Sequence, residues 1–290
     1  MVIIVSSIVL ALVLLGVVLV DSIYCNRRLA VTPYKLENGI QSQKGEKIKL
    51  VFLSDLHGRT YGTDNQRLLE VIKKQKPDLI LIGGDMIVKE PEPDFSVALA
   101  LIGELVKVAP VYYANGNHEK KVMDFWKESK EAFLLYKRHL EELGVVYLIN
   151  ESSVISCKGR QIEIVGLDLD FKDYQKCWHK PTLTVEELKR RLPKRKREAD
   201  YRILLAHNPK YFPLYDNMEV DLVLSGHVHG GIMILPVLGG VIAPDLRIFP
   251  KYDFGKFEGK NATMLLSKGL GVHSINVRVF NIPEILAIEI

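Results

Sequence analysis

Lys47-Ile48-Lys49-Leu50-Val51-Phe52-Leu53-Ser54-Asp55-Leu56-His57-Gly58 decides how this chain reads. Lys47–Leu53 is a short apolar run that stops at a polar Asp-x-His. A short run apolar on both faces and bounded by a turn reads as a strand inside a parallel sheet. In extended backbone, residues two apart share a face, so Asp55 and His57 present their side chains together.

The same pattern repeats downstream. Asp78–Ile82 ends in Gly83-Gly84-Asp85, Val111–Tyr113 ends in Asn115-Gly116-Asn117-His118, and the intervening stretches Asn65–Lys74 and Phe95–Val108 have helical spacing. Strands alternating with helices indicate βαβ units. The spacing then predicts a long helix over Phe125–Leu143 and a shorter one over Glu186–Arg191. Strands are expected at Val145–Leu148, Val154–Cys157, Gln161–Val165, Tyr201–Leu205, Leu222–Leu224, Met233–Leu235, Ala262–Leu266, Val277–Phe280 and Leu286–Ile290. No repeat or low-complexity segment interrupts residues 46–290, which read as one α/β domain with two sheets.

Composition limits the alternatives. The chain has 290 residues, 48% hydrophobic and 26% charged, which excludes wholesale disorder. Three cysteines exclude a disulfide scaffold. The net charge of +4 does not demand a nucleic-acid partner. A mean hydropathy of +0.08 is high for so charged a chain, and the excess sits at the start.

Residues 1–20 carry no charged side chain. About 20 helical residues span a hydrocarbon core of roughly 30 Å. No basic residue precedes the run and Val20-Asp21-Ser22 is a poor cleavage site, so the segment reads as an uncleaved transmembrane anchor. Arg27-Arg28 on its C-terminal side weakly favours a cytoplasmic domain. Tyr24 before Cys25 does not fit a lipoprotein signal, and Cys25 reads as a free thiol, with palmitoylation the alternative. Residues 21–45 read as a connector.

Seven cations lie in the run at residues 189–197, so the remainder of the chain is net acidic. The run reads as a solvated helix end, with anionic lipid headgroups the alternative partner. No aromatic platform accompanies it, and no nucleic-acid partner is expected.

Five of the eight histidines close apolar strands: His57, His118, His207, His227 and His229. His139, His179 and His273 do not, and are expected in surface or packing roles. The clusters Asp55-Leu56-His57-Gly58, Gly83-Gly84-Asp85, Gly116-Asn117-His118-Glu119, Ala206-His207-Asn208-Pro209 and Gly226-His227-Val228-His229-Gly230-Gly231 all follow strands. Sites in α/β sheets assemble at C-terminal strand ends, so the clusters can converge on one point. Oxygen donors plus imidazoles, without thiolate, suit Mn, Zn or Fe in a site for two divalent ions.

This ordered set resembles the calcineurin-like metallophosphoesterase superfamily over residues of about 48–230. The tail Ser267-Lys268-Gly269-Leu270-Gly271, with Arg278 and Pro283-Glu284-Ile285, further resembles its membrane-anchored bacterial phosphodiesterase branch. Ile232 departs from that branch, which often carries Gln there. The resemblance implies a four-layer α-β-β-α sandwich of two mixed sheets flanked by helices. It implies Asp55, His57 and His229 on a first metal, Asp85 bridging, and Asn117, His207 and His227 on a second. Asp85 and an unligated His118 would be the catalytic residues.

The expected activity is phosphoester hydrolysis by a metal-bridging hydroxide attacking phosphorus in line, with His118 stabilising charge or protonating the leaving oxygen. Two alternatives accompany it. One is hydrolysis of a lipid-linked phosphoester, as in related UDP-2,3-diacylglucosamine hydrolases; the other is a membrane scaffold without chemistry. Loops at residues 58–65, 168–200 and 232–258 are expected to shape specificity.

Overall fold

The computed structural model describes residues 2–36, 46–125, 127–176, 178–180, 183–272 and 276–290. His273 lies outside the described residues, as does much of the expected connector. Two six-stranded sheets stack face to face with helices on their outer sides.

The strands of the first sheet are β1 (Ala30–Lys35), β2 (Lys49–Leu53), β3 (Leu79–Ile82), β4 (Val111–Ala114), β5 (Val146–Leu148) and β14 (Glu284–Glu289), in the order β1-β14-β2-β3-β4-β5. The second contains β6 (Glu151–Cys157), β7 (Arg160–Leu167), β8 (Tyr201–Ala206), β9 (Leu222–Ser225), β12 (Gly255–Glu258) and β13 (Thr263–Leu266), in the order β12-β13-β9-β8-β7-β6. The short β10 (Ile234–Leu235) and β11 (Gly239–Gly240) pair with each other alone.

Two-residue alternation divides the apolar side chains among three cores. Leu50 and Phe52 of β2 face the inter-sheet core, where they join Ile203 and Leu205 of β8. Val51 and Leu53 face the opposite way, onto α2 (Gln66–Gln75), α3 (Ser96–Leu105) and α5 (Lys127–Glu142). Leu204 and Ala206 of β8 pack toward α6 (Val185–Arg191) and α7 (Phe212–Tyr215). Every central strand is thus buried on both faces, which accounts for the unbroken apolar runs in the sequence.

Local chemistry sets the helix ends. Thr184 caps α6 by accepting the Glu187 amide at 3.1 Å, and basic residues close its last turn. α2 stops at Lys76, which caps it in left-handed backbone with its amide donating to the Lys73 carbonyl at 3.1 Å.

The helix read over Phe125–Leu143 corresponds to α5, preceded by α4 (Asn117–Phe125), with residue 126 outside the described residues. Two expectations change. Residues 30–35, read as connector, form edge strand β1 paired in parallel with β14. Val277–Phe280 is not a strand: only Val279 makes an isolated bridge, to Met233.

The N-terminal helix α1 runs over Val2–Asn26, and its Ile4–Asn26 portion is long and apolar enough to cross a membrane, with mean hydropathy 2.8. Its final turn is hydrogen-bonded to the folded body. Asp21 accepts the Phe280 amide at 2.6 Å, Ser22 Oγ accepts the Arg278 amide at 3.3 Å, and Arg59 donates to Asn26 Oδ1 at 2.9 Å. Cys25 is buried in this contact, with its thiol 3.5 Å from Asp21.

Candidate metal centre

Asp55, Asp85, Asn117, His207 and His227 each lie one to three residues beyond a strand, after β2, β3, β4, β8 and β9 respectively. The strands of each sheet that carry them run parallel, so these ends share one edge of the molecule. The chain then has to turn sharply to aim the side chains at each other. Asp55, His57, Asp85, His227 and His229 all adopt left-handed backbone, with φ of 55°, 49°, 54°, 73° and 52°. Asp and His tolerate this region better than most residues, but each still costs of order 1 kcal/mol, and such strain concentrates at functional sites.

Glycines make the loops interlock. A Cβ on Gly84, whose φ is +85°, would collide with the backbone of Gly116, and one on Gly226 would collide with the Asp55 carboxylate. The loops are also bonded directly: the Asp55 amide donates to Gly84 O at 2.9 Å and the His57 amide to Asp85 O at 3.0 Å.

Asp85 stands at the centre. Its Oδ1 accepts the amide of His118 at 2.7 Å, close to the N-terminus of α4, where helical amides favour an anion. Its Oδ2 faces the Nε2 atoms of His207, His118 and His57 at 3.2, 3.8 and 3.9 Å. Asp55 Oδ1 lies 3.5 Å from His229 Nε2 and 3.7 Å from His207 Nε2, and His57 Nε2 is 3.3 Å from His229 Nε2. Two groups suited to a cation follow, Asp55–His57–His229 and Asp85–His207–His227, joined through a third, His57–Asp85–His118.

The donor set fits divalent ions. The side-chain carbonyl oxygen of Asn117 is buried and lacks a hydrogen-bond partner among the described residues, which a hard cation would remedy. His207 Nδ1 donates to the Gly83 carbonyl at 2.6 Å, which orients its Nε2 for a ligand's role. His118 has the opposite arrangement. Its Nδ1 accepts the Lys89 amide at 2.9 Å, so the neutral ring carries its proton on Nε2, facing the centre.

The electrostatics agree with a cation-binding site. Burial would raise Asp85, yet His207 and His118 hold it well below the usual carboxylate range. Burial, only partly offset by His207, pushes Asp55 up to about 6. Burial works against charge on His207, but the carboxylates of Asp85 and Asp55 raise it to about 10. At the rim, burial and the nearby Lys121 and Lys176 ammonium groups depress Lys89, a concentration of positive charge suited to an anionic substrate.

Seven of the eight residues singled out from the sequence therefore lie in these connected groups, with Asn117 adjoining them in the chain beside His118, while His139 and His179 are exposed elsewhere. Sequence reading missed Glu119. It is fully buried and accepts four hydrogen bonds, from the amides of Asp85, Met86 and Gly116 and from the Tyr113 hydroxyl. An acid directly after His118 was the available signal. It also gave Arg278 no role. The guanidinium is buried and donates to the carbonyls of Lys268, Gly269 and Gly271, the strap whose Gly269 packs against Asp55.

A sandwich of two mixed sheets with Asp, Asn and His gathered at its strand ends defines a metallophosphoesterase architecture. The calcineurin-like phosphoesterase domain matches residues 48–231, and the chain belongs to that family. It is 32% identical over 199 residues to the phosphodiesterase YaeI of Escherichia coli (strain K12), covering 68% of this chain and 66% of that protein. It is 26% identical over 250 residues to the uncharacterized metallophosphoesterase YkoQ of Bacillus subtilis (strain 168), covering 86% of this chain and 85% of that protein. Among solved structures, it is similar to a phosphopantetheinyl hydrolase of Mycobacterium tuberculosis, with 14% identity, TM-score 0.44, and 77% and 90% of the two chains covered.

Proposed function

We propose that the chain is a membrane-anchored phosphoester hydrolase, working as a phosphodiesterase or phosphatase on two divalent ions. The observation that carries this reading is the meeting of Asp55, His57, Asp85, His207, His227 and His229 in connected groups whose ligating atoms lie within reach of a shared cation. Residues 46–290 would be the catalytic domain, with β1 added to its sheet, and residues 1–20 the anchor.

In this reading Asp55, His57 and His229 would hold one ion, Asn117, His207 and His227 the other, and the Asp85 carboxylate would serve both. When bound, the ions supply Lewis-acid polarisation of the phosphoryl oxygen and a water acidic enough to attack at neutral pH; Mn, Zn and Fe all suit the donors. The protein does the rest. His118 presents Nε2–H to the reacting phosphoryl or leaving oxygen, fixed in that tautomer by the Lys89 amide. Lys89, Lys121 and Lys176 draw the anionic substrate to the mouth.

A narrower reading, a lipid-linked phosphoester, is favoured by the helix α1 bonded to the body beside Arg278. The run at 189–197 supports headgroup contact less strongly, because Arg191 pairs with Asp170 and Glu187, and Arg195 with Asp221.

The test is hydrolysis of bis(4-nitrophenyl) phosphate by full-length protein with Mn²⁺, beside Asp85→Asn. Wild type turns over, and the variant loses at least about 10²-fold in kcat. Equal rates would remove Asp85 from the mechanism.

A further inference from the structure

Two cavities flank the centre, and they differ in character. The first, about 210 Å³, reaches His229 and is walled mostly by Ile232, Ile242, Leu246, Val272 and Val277, with Lys176 and Arg278 completing the wall. The second, about 200 Å³, reaches His227 and sets Asn208, Lys210, Arg247 and Lys251 into a wall that otherwise includes several prolines. Ala243 and Pro244 form the ridge between them, since both residues line both cavities. A phosphoryl group at the metal centre would therefore have a mostly aliphatic recess on the His229 side and, on the His227 side, one that offers amide and cationic groups to a polar arm.

The apolar recess adjoins the anchor. The segment carrying Val277 and Arg278 is the one that receives the last turn of α1, through Ser22 and Asp21. Two exposed apolar side chains are tied to this region: Ile248, bridged to Ile242, is 66% exposed, and Phe280, whose amide bonds Asp21, is 54% exposed. A large apolar group left in water beside a membrane-crossing helix, as Phe280 is, suits lipid contact.

We propose that the substrate is an amphiphilic phosphodiester drawn from the bilayer. Its hydrocarbon chain lies in the His229 recess and its polar arm in the His227 recess. The proposal rests on the hydrolase reading above and adds what that reading lacks: two ester arms of opposite polarity, each with its own recess. Ile232, Ile242 and Leu246 are then specificity-determining residues for the apolar arm. That arm needs no partner group, only removal from water, so affinity should rise with each methylene until the recess is full.

The experiment uses full-length protein in one fixed detergent with Mn²⁺ and a series of alkyl 4-nitrophenyl phosphodiesters, from methyl to dodecyl. For wild type, kcat/KM should climb with chain length, by about tenfold or more from methyl to octyl, mainly through KM. Leu246→Ser with Ile242→Asn should flatten that slope. Leu246→Trp, which fills the recess while keeping it apolar, should make the climb stop at a shorter chain. Both positions are partly exposed, so these variants leave the sheets' cores intact.

A wild-type kcat/KM independent of chain length would overturn the proposal while leaving the hydrolase reading in place. An unchanged slope in the variants would overturn the assignment of the chain to this recess. Failure of wild type to cleave any ester of the series would instead remove the hydrolase reading itself.

Discussion

Glu119 holds Asp85 by its backbone: the Asp85 amide donates to Glu119 Oε2 at 2.8 Å. The same oxygen accepts the Gly116 amide at 3.0 Å, so one carboxylate ties the loop after β3 to the loop after β4. Asp85, in left-handed backbone at φ 54°, has a conformation that its own residue type does not dictate. Burial, with Asp85 close by, pushes Glu119 up to about 7, while the Tyr113 hydroxyl and the amide bonds pull it back.

Glu119→Gln keeps the shape but aims an amide NH2 at two of the four donors. A buried donor left without an acceptor costs about 1–3 kcal/mol. Denaturant titration should show a loss of that amount in unfolding free energy, and the variant should bind Mn²⁺ more weakly, although Glu119 touches no substrate. Unchanged metal affinity would show that the two loops hold their geometry without it.

His118 separates acid from ligand. Its Nδ1 accepts the Lys89 amide, and its Nε2 faces Asp85 Oδ2 at 3.8 Å. If it donates a proton or hydrogen bond, His118→Asn should lower kcat by about 10²–10⁴-fold with metal content unchanged. Loss of bound metal in proportion to loss of rate would make it a ligand instead.

Gly84→Ala tests the interlocked turns. With φ at +85° and the Gly116 backbone against its open side, the added methyl group meets both strain and collision. Destabilisation of at least about 2 kcal/mol is expected, with a fall in metal affinity. Thermal unfolding and Mn²⁺ titration read the two effects separately, and a change within 0.5 kcal/mol would mean the loops can separate freely.

Much of this was legible in the sequence because burial on both faces writes a continuous run. β2, β3, β4, β8 and β9 are central and parallel, so Leu50–Leu53 or Ile203–Leu205 announce themselves. Edge strands carry a weaker mark. β1 alternates only loosely, contains Pro33, and is fixed by pairing with β14 nearly the whole chain away. β12 is likewise half exposed and polar.

The candidate ligands could be read because each closes a strand, and His and Asp in such company are conspicuous. For Glu119 the one signal was an acid directly after His118, and Arg278 had none, since its bonds run to backbone carbonyls of a loop that no spacing encodes. Val277–Phe280 looked like a strand because Val277, Val279 and Phe280 flank Arg278 with strand-favouring apolar side chains. It instead serves the anchor and the recess beside His229.

The central claim is that these side chains form one centre for two ions, and a metal titration tests it most directly. Chelator-stripped full-length protein in detergent is titrated with Mn²⁺, following bound ions by elemental mass spectrometry and hydrolysis of bis(4-nitrophenyl) phosphate in the same samples. Two ions should bind per chain in wild type, with activity saturating only as the second site fills, and Asp85→Asn should bind fewer. Full activity with one ion or none would contradict the account.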